Sequence, residues 1–277
     1  KLGKSNEHRI KNKYYTICHY RSEKQMNQKL TTTLFIPTIN EIDGLKAIMP
    51  TISKDWVDQI MISDGGSTDG TIEYAKEQGY DVVIQSGKGI RNAYFDAYPK
   101  ITGDIVVSFS PDGNCDPKAI PILIEKIKEG HDLAMASRYK DHARSFDDDF
   151  LTSIGNWFFT GLIRWLFSYP YTDALNIYRA YRTKLFFELA LDEEESYKLD
   201  KLFGTVCGIE PLLCMRAAKK KLNIVEIPWD EPARKYGRRK LKIFRTGGFY
   251  LFHIFLEYFS KKHLQLDCSP SFTSIKK

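Results

Sequence analysis

One segment of the chain has oxygen-bearing side chains at alternate positions, a spacing that could hold a metal ion. Asp112, Asn114 and Asp116 would point to one side of an extended backbone, and their hard oxygen atoms suit Mg²⁺ or Mn²⁺. The spacing also opens an EF-hand loop, but Pro117 and Leu123 replace the glycine and the glutamate that a calcium loop requires. A β-turn without a ligand is the alternative interpretation of this Pro-Asp-Gly-Asn sequence.

A glycine-rich segment, Asp64–Thr71, offers free backbone amides and a carboxylate. Ser67 or Thr68 can cap a following helix, and Asp64 can accept hydrogen bonds from a nucleotide base or ribose. The alternative is an ordinary turn between a strand and a helix. Further along the chain, Lys88 offers a positive charge for a diphosphate. The phosphate-binding loop G-x-x-x-x-G-K-[ST] does not occur in the sequence, which excludes that class of nucleotide site.

A scaffold must position these segments, and the apolar runs of the chain predict one. Five short runs rich in β-branched residues alternate with stretches of helical periodicity, which is typical of parallel strands buried on both faces. We therefore predict an α/β fold with a doubly wound, mostly parallel central sheet flanked by helices, which binds ligands at the carboxyl ends of its strands. The predicted strands are Thr33–Pro37, Gln59–Asp64, Asp81–Gln85, Asp104–Ser110 and Asp132–Ser137.

The rhythm of the sequence changes after residue 138. A charged loop precedes a helix predicted over Thr152–Phe167, whose aromatic stripe we expect in the core. A helix over Ile209–Lys221, an edge strand over Asn223–Pro228 and an apolar helix over Ile243–Ser260 follow. We divide the chain into a basic extension (1–30), a catalytic domain (31–230), a basic loop with the apolar helix (231–262) and a polar tail (263–277).

Charge and cysteine content limit the classes of function. The formal net charge is +6, and eight basic against two acidic residues in positions 1–29 account for all of it. The remaining chain is balanced, which excludes a general nucleic-acid binder. Five scattered cysteines without a C-x-x-C pair favour a reducing compartment. The first thirty residues lack the apolar core of a signal peptide, so we expect a cytoplasmic protein.

Taken together, the order of these motifs resembles family 2 glycosyltransferases of the GT-A fold. The order is P-x-x-N-E from Pro37, D-x-G-S-T-D-G-T from Asp64, Lys-Gly at Lys88 and the D-x-N turn at Asp112. The resemblance extends over residues 33–245. Its second part is similar to the branch with dolichyl-phosphate mannose synthase and bacterial polyprenyl-phosphate sugar transferases, on the motifs Ser137-Arg138-Tyr139, Asp173 and Arg234…Gly237…Lys240-Leu241.

The resemblance implies a role for individual residues. The site for a nucleotide-diphosphate sugar, a GDP- or UDP-sugar, would comprise Pro37, Ile39, Glu41, Asp64, Lys88, Ser110 and Asp112. The metal ligands would be Asp112 and Asn114, and the acceptor phosphate would meet Arg138, Ser153, Arg234 and Lys240. Two positions depart from the family pattern. Ser110 stands where the metal motif begins with aspartate, and Asp149 stands where a second arginine is usual.

These residues predict an inverting glycosyltransferase of the hexosyltransferase class that is assisted by Mg²⁺ or Mn²⁺. Asp112 would take part in catalysis by binding the metal ion. A polyprenyl phosphate acceptor is already anionic near pH 7 and needs no general base. A sugar hydroxyl would need a carboxylate to take its proton, and Glu210 is the candidate, although it could instead stabilise a helix dipole. A sugar nucleotidyltransferase and an inactive nucleotide-sugar-binding module are the remaining alternatives.

The C-terminal part has two interpretations. Seven basic residues without an acidic one lie between Arg234 and Arg245, and the aromatic stretch Gly247–Phe259 follows directly. The stretch is shorter than the roughly 20 apolar residues of a spanning helix. It predicts either a core helix or an interfacial helix that places the protein peripherally on an anionic membrane surface.

Overall fold

The computed structural model describes residues 29–204, 206, 208–237 and 243–260. Its seven strands form one sheet in the order β3-β2-β1-β4-β6-β5-β7. Neighbouring strands are parallel, except that β6 runs antiparallel to both β4 and β5. The strands are β1 (Thr32–Thr38), β2 (Gln59–Asp64), β3 (Asp81–Ile84), β4 (Ile105–Ser108), β5 (Leu133–Ser137), β6 (Arg179–Arg182) and β7 (Ile224–Pro228). The predicted mostly parallel α/β sheet is confirmed, with β7 at its edge.

Helices cover both faces of this sheet. They are α1 (Ile42–Ile48), α2 (Thr71–Glu77), α3 (Ile90–Ala97), α4 (Ala119–Lys128), α5 (Phe150–Phe167), α6 (Leu185–Glu188), α7 (Leu199–Phe203), α8 (Glu210–Lys219) and α9 (Ile243–Phe259). Side chains of successive strand residues enter different cores, as the period of two in a strand requires. Phe35 packs in one core, whereas Leu34 and Ile36 pack in the other.

Strand β6 was not predicted from the sequence, because its Arg-Ala-Tyr-Arg segment lacks an apolar run. It is nevertheless central, and the Arg179 side chain is fully buried. The guanidinium donates to the carbonyl of Glu210 at 3.2 Å and to the carbonyl of Asn176. Backbone carbonyls thus satisfy a charge that sequence patterning assigns to the surface.

The prediction that the aromatic stripe of α5 lies in the core holds only in part: Phe167 is buried and Phe159 packs against the core, whereas Trp157, Phe158 and Trp165 are exposed. Trp157 and Trp165 are 75% and 74% exposed, and Phe150 is 82% exposed. The buried face of α5 combines the polar side chains of Thr152, Asn156 and Thr160 with the apolar side chains of Ile163 and Phe167. Among the described residues, no helix is long and apolar enough to cross a membrane.

Candidate active site at the carboxyl edge of the sheet

The carboxyl ends of β1, β2 and β4 bring three polar segments to one edge. Asn40, just after β1, has a left-handed backbone with a φ of 53°. Its backbone amide donates to Ser67 Oγ at 2.7 Å, and its side-chain oxygen accepts from the Thr68 amide at 2.9 Å. These bonds fasten the Pro37–Glu41 turn to the glycine-rich turn that follows β2. The third segment lies beside α1, where Gly44 leaves room for the carbonyl of Pro111.

Asp64 organises the glycine-rich turn. Its carboxylate is fully buried and accepts hydrogen bonds from the backbone amides of Gly66 and Ser67 at 2.8 and 2.7 Å. The hydroxyls of Thr38 and Ser67 donate to the same carboxylate at 2.8 and 2.6 Å. Both oxygens of the Asp64 carboxylate are therefore used to hold the backbone and side chains of the neighbouring turns. The proposed contact with a nucleotide base would add to this structural role.

The other residues that the sequence predicts for the nucleotide-sugar site differ in solvent exposure. Ile39 and Lys88 are exposed, Pro37 and Ser110 are half-buried, and Glu41 is buried. The Glu41 carboxylate lies against the backbone of the loop that follows β7. A Cβ built on Gly237 would be 2.6 Å from Glu41 Oε2, and the φ of Gly237 is +68°. Glycine is required there for both reasons.

The loop after β7 also covers Asp112. The Asp112 carboxylate is buried, and its Oδ2 lies 2.5 Å from Nη1 of Arg234. The backbone amides of Lys235 and Tyr236 both donate to the Asp112 carbonyl at 3.0 Å. Burial raises the pKa of the Asp112 carboxyl, whereas Arg234 and a hydrogen bond from Ser110 act to lower it. Three contacts thus tie residues 234–236 to the predicted metal turn.

The metal turn offers donors that suit a hard divalent cation. Nδ2 of Asn114 donates to Oε1 of Glu231 at 3.2 Å, whereas Oδ1 of Asn114 is buried and has no hydrogen-bond partner in the described part of the chain. The backbone amide of Asn114 donates to the Asp112 carboxylate at 3.3 Å, so the orphaned amide oxygen and the carboxylate belong to one turn. They fit Mg²⁺ or Mn²⁺, because these ions retain water and phosphate ligands besides a few protein oxygens. In the described ranges no three His, Cys, Asp or Glu side chains group as a metal site.

Arg138 lies at the centre of a buried acidic cluster. Its Nε and Nη2 donate to the two carboxylate oxygens of Asp173 at 2.6 and 2.9 Å. Nη1 donates to Glu231 at 3.2 Å and to Asp148 at 3.4 Å. Burial acts to lower the pKa of the Arg138 guanidinium, but the Asp173 carboxylate outweighs it and the pKa is raised. All three guanidinium nitrogens have carboxylate partners, so an acceptor phosphate would meet Arg138 only by exchanging one of them.

The acidic run before α5 divides its side chains among three tasks. Asp147 lies beside Arg234, with Nη2 at 3.5 Å and the backbone amide at 3.1 Å from its carboxylate oxygens. Asp148 accepts from Asn156 Nδ2 at 2.7 Å and from the hydroxyl of Tyr139. Asp149 caps α5 by accepting from the Thr152 amide at 2.8 Å. The N-cap is a local structural role that explains the aspartate at position 149. Ser153, predicted near the acceptor, is half-buried in the first turns of α5.

Glu210 belongs to a different neighbourhood of the fold. It begins α8, is buried, and accepts a hydrogen bond from the hydroxyl of Tyr94 at 2.7 Å. That hydroxyl also donates to Ser108 Oγ in β4 at 3.2 Å. Burial raises the pKa of Tyr94, and the Glu210 carboxylate adds to the effect. Glu210 thus joins α8 to α3 and to the sheet in this structure.

The structure adds a residue that sequence reasoning missed. Glu231 contacts Arg138, Asn114 and the hydroxyl of Ser145, and so joins the metal turn to the arginine cluster. Burial raises the pKa of its carboxyl, although Arg138 acts to lower it. The available signal was its position three residues after β7, at the same sheet edge as the motifs. Lys240, the remaining predicted phosphate ligand, lies outside the described residues.

Comparisons with known proteins identify similar glycosyltransferases. The chain is 26% identical over 230 residues to glycosyltransferase AglJ of Haloferax volcanii, which covers 82% of this chain and 71% of that protein. It is 28% identical over 244 residues to the dolichol-phosphate mannosyltransferase of Pyrococcus furiosus, covering 82% of this chain but only 63% of that protein's length.

Solved structures share the fold. Glucosyl-3-phosphoglycerate synthase of Mycobacterium tuberculosis, determined with Mg²⁺ and UDP, matches with a TM-score of 0.57 at 19% identity, over 82% of this chain and 79% of that one. The complex of that enzyme with Mn²⁺, UDP and glucosyl-3-phosphoglycerate matches with a TM-score of 0.55 over 83% and 80%. The model of the family described as glycosyl transferase family 2 matches residues 33–187, more than half of the chain. The expected GT-A fold is thereby confirmed, and the chain belongs to glycosyl transferase family 2.

Proposed function

We propose that this glycosyltransferase moves a hexosyl group from a UDP- or GDP-sugar to a polyprenyl phosphate at a membrane surface, by a metal-assisted inverting displacement. The observation that carries the proposal is the placement of α5. The helix begins at the acidic run that contacts Arg138 and Arg234, and six of its large apolar side chains are exposed. An apolar surface therefore adjoins the charged cluster of the site. A lipid phosphate has the same juxtaposition of a charged head and an apolar tail.

Helix α5 differs from an ordinary surface helix because its exposed face is largely apolar, whereas its buried face includes polar residues as well as Ile163 and Phe167. A helix on a water-soluble protein directs its apolar stripe inward and its polar residues outward. In α5 the inward residues include Asn156 and Thr160, and the outward stripe is Phe150, Leu151, Ile154, Trp157, Phe158 and Trp165. Tryptophan is favoured at the interface between water and lipid. The pattern supports an apolar environment for this surface.

Helix α9 shows a similar arrangement beside α5. Its polar residues His253 and Glu257 are buried together with Phe249 and Ile254, and Glu257 pairs with Arg216 of α8 at 3.1 Å. Its outward residues are Phe252, Phe255, Leu256, Tyr258 and Phe259. Phe159 and Tyr250 pack edge to face between the two helices, with ring centroids 5.7 Å apart. We name the outward residues of both helices the α5–α9 surface.

The size of this surface argues for a lipid leaflet. Soluble monomers rarely expose contiguous apolar patches beyond a few hundred Å², and eleven large apolar or aromatic side chains contribute here. The basic segment Arg234–Arg245 leads into the first turn of α9. Each basic side chain near an anionic membrane contributes about 1 kcal/mol to binding. Both features favour peripheral association with an anionic leaflet.

The donor chemistry follows from the metal turn. The Asp112 carboxylate and Asn114 Oδ1 would hold the divalent cation, which neutralises charge on the departing diphosphate and contributes several kcal/mol. The carboxylate of Asp64 would keep the glycine-rich turn in place for the nucleotide. Lys88 is exposed at the same edge and would add a positive charge near the phosphates.

The acceptor chemistry needs no proton acceptor on the protein. A phosphate monoester oxygen attacks the anomeric carbon from the face opposite the diphosphate, so that one carbon–oxygen bond forms while the other breaks. The monoester is already ionised near pH 7 because its second pKa is about 6. This agrees with a Glu210 carboxylate that is engaged by Tyr94. Arg138 would position the acceptor phosphate.

A transfer assay with matched acceptors tests the proposal. Radiolabelled UDP-glucose, UDP-N-acetylglucosamine and GDP-mannose would each be incubated with the chain, Mn²⁺ and vesicles of phosphatidylcholine and phosphatidylglycerol. One set of vesicles carries undecaprenyl phosphate, one carries undecaprenol, and a third reaction replaces vesicles with 3-phosphoglycerate. We expect label in the organic phase only with the lipid phosphate. Label transferred to the soluble phosphate alone would contradict the lipid acceptor while leaving the transferase assignment intact.

Variants of the α5–α9 surface test its role separately. Trp157→Ser with Trp165→Ser should release the chain from the vesicles and lower transfer to lipid at least tenfold. Binding of UDP or GDP should remain unchanged, because neither tryptophan lies in the donor site. Ile122→Ser, which removes an exposed apolar side chain of α4 on another surface, is the matched control and should behave as the wild type. Equal vesicle binding by the double variant would remove the surface from the proposal.

A further inference from the structure

We propose that Arg234 occupies the place of a divalent cation at Asp112, and that a nucleoside diphosphate must draw it away before the cation binds tightly. The inference rests on the proposed function, because it assumes a metal-assisted reaction with a nucleotide sugar. Arg234 would then make cation binding conditional on the diphosphate. The site would discriminate against free metal ions and favour the complex of metal and donor.

The geometry of the ion pair is the first support. Nη1 of Arg234 lies 2.5 Å from Oδ2 of Asp112, the carboxylate that the metal turn offers. The Asp112 side chain is 4% exposed, whereas the Arg234 side chain is 24% exposed. The guanidinium is thus the partner with access to solvent. A cation that approaches Asp112 from solvent meets this guanidinium.

Electrostatics makes the two cations competitors. A buried carboxylate is costly without a positive partner, and Arg234 supplies one. A divalent ion on the same carboxylate would stand within a few ångströms of the guanidinium, where like charges repel strongly in a partly buried site. Tight metal binding therefore requires that Arg234 leave Asp112. The neighbouring Asp147 carboxylate, 3.5 Å from Nη2, keeps part of the charge compensated when the Asp112 contact is lost.

A diphosphate is the chemical class that would draw Arg234 away. The planar guanidinium binds phosphate oxygens in a bidentate manner. The backbone of this loop is held independently, since the amides of Lys235 and Tyr236 donate to the Asp112 carbonyl. The side chain of Arg234 can therefore exchange partners while the loop stays against the metal turn. In this exchange one arginine couples the two ligands.

Removal of Arg234 should change the two affinities in opposite directions, because Arg234 competes with the cation for Asp112 but binds the diphosphate, and the coupling between the two ligands is the same in both directions. Without the guanidinium, the Asp112 carboxylate is available to a cation at once, and Mn²⁺ alone should bind more tightly. The diphosphate loses an arginine partner and should bind more weakly. The factor by which each ligand strengthens the other should shrink. A role of Arg234 confined to holding the fold would change both affinities in the same direction.

Titrations of the intact chain test the inference without an activity measurement. Mn²⁺ binding would be followed by electron paramagnetic resonance of the free ion, and UDP and GDP binding by calorimetry with and without Mn²⁺. The chains are wild type, Arg234→Gln, Arg234→Lys and the control Lys54→Gln, which removes an exposed charge outside the site. For Arg234→Gln we expect Mn²⁺ alone to bind about tenfold tighter and the nucleotide about tenfold weaker, the scale of one charge-assisted hydrogen bond.

The outcomes distinguish a failure of this inference from a failure of the proposed function on which it rests. Lys54→Gln should match the wild type, and Arg234→Lys should retain part of the coupling because it keeps the charge. Circular dichroism and thermal melting confirm that each variant is folded. If Mn²⁺ does not strengthen nucleotide binding in the wild type, the metal-assisted function fails and the inference with it. If that coupling is present but Arg234→Gln binds Mn²⁺ alone no tighter, the inference alone is overturned.

Discussion

The carboxylate of Asp173 holds Arg138 with both of its oxygens, at 2.6 Å to Nε and 2.9 Å to Nη2. Asp173 is itself fixed by β7, because the Glu226 carboxylate accepts from the Asp173 backbone amide at 3.0 Å. Glu226 also accepts from the amide and the hydroxyl of Thr172. The orientation of Arg138 is therefore set by a chain of buried bonds that begins in the sheet.

We expect Arg138→Met to destabilise the fold more than Asp173→Asn does. The methionine leaves the buried carboxylates of Asp173, Glu231 and Asp148 without their shared partner, whereas Asp173→Asn leaves Arg138 two carboxylates. Breaking a buried pair costs about 3–5 kcal/mol. Urea denaturation of the two single variants and the double variant measures the coupling. Equal losses that add in the double variant would contradict the shared cluster.

Asp112→Ala should abolish metal-dependent nucleotide binding and sugar transfer. The fold should survive, because the Asp112 carbonyl still accepts the amides of Lys235 and Tyr236. Calorimetry with UDP or GDP, with and without Mn²⁺, measures the binding. Asp55→Ala, an exposed aspartate elsewhere, is the control. Transfer at the wild-type rate in Asp112→Ala would refute the metal assignment.

Asp64→Ala should lower stability as well as nucleotide affinity. The substitution leaves two backbone amides and two hydroxyls without their acceptor, and each hydrogen bond to a charged group contributes about 1.5–3 kcal/mol. We expect a loss of at least about 2 kcal/mol in the free energy of unfolding, together with a weaker nucleotide Kd. Denaturation and calorimetry on the same samples check both. Unchanged stability would show that the turn does not depend on this carboxylate.

Gly237→Ala should weaken nucleotide binding through the loop that follows β7. An alanine Cβ would meet the Glu41 carboxylate and force the loop away from the turn after β1. Gly79→Ala is a matched control, since Gly79 has a φ of +74° but no atom within 4 Å of a built Cβ. Both variants should lose about 1 kcal/mol of stability from the backbone conformation. Only Gly237→Ala should change the nucleotide Kd, and identical binding would exclude the contact.

His253→Gln should alter how stability depends on pH. Burial lowers the pKa of His253 to about 4, with Glu257 raising it and Arg216 lowering it. The unfolded chain binds more protons than the native one between pH 6.5 and 4, so this residue reduces stability as the pH falls. The total is up to about 3 kcal/mol at 1.36 kcal/mol per pH unit. Urea denaturation from pH 4.5 to 7 should show a shallower slope in the variant, and parallel slopes would contradict the prediction.

The first half of the fold was predictable because its physics is local. Each early strand is a run of β-branched residues, and Gln59–Asp64 was predicted with the boundaries that β2 has. The turns after β1, β2 and β4 contain their own acceptors and glycines, so their place at the sheet edge followed from the strand pattern. Hydrogen bonds between buried polar groups that are distant along the chain cannot be predicted from local sequence patterns. Arg179 in β6 and Glu231 after β7 acquire their roles only from partners that the fold brings close.

The aromatic stripe of α5 exposes a different limit of sequence reasoning. Periodicity shows which residues share a face of a helix, but a core and a lipid leaflet both select an apolar face. The polar residues of α5 determine which side of the helix faces inward, because Thr152, Asn156 and Thr160 make buried contacts. Asn156 donates to Asp148, and Thr160 Oγ1 accepts from the Ala174 amide. Neither bond is encoded by spacing alone.

The step from Asp148 to Phe150 sets a length scale for the acceptor. Asp148 faces the buried arginine, and Phe150, two residues on, is 82% exposed on the apolar side. Two residues span about 7 Å of chain, which is comparable to a phosphate group and the first carbons attached to it. On the proposed function, an acceptor whose charge lies directly on a hydrocarbon chain matches this boundary, and the number of later isoprene units should matter little. An acceptor with a long polar spacer between charge and tail would place one of the two in the wrong medium.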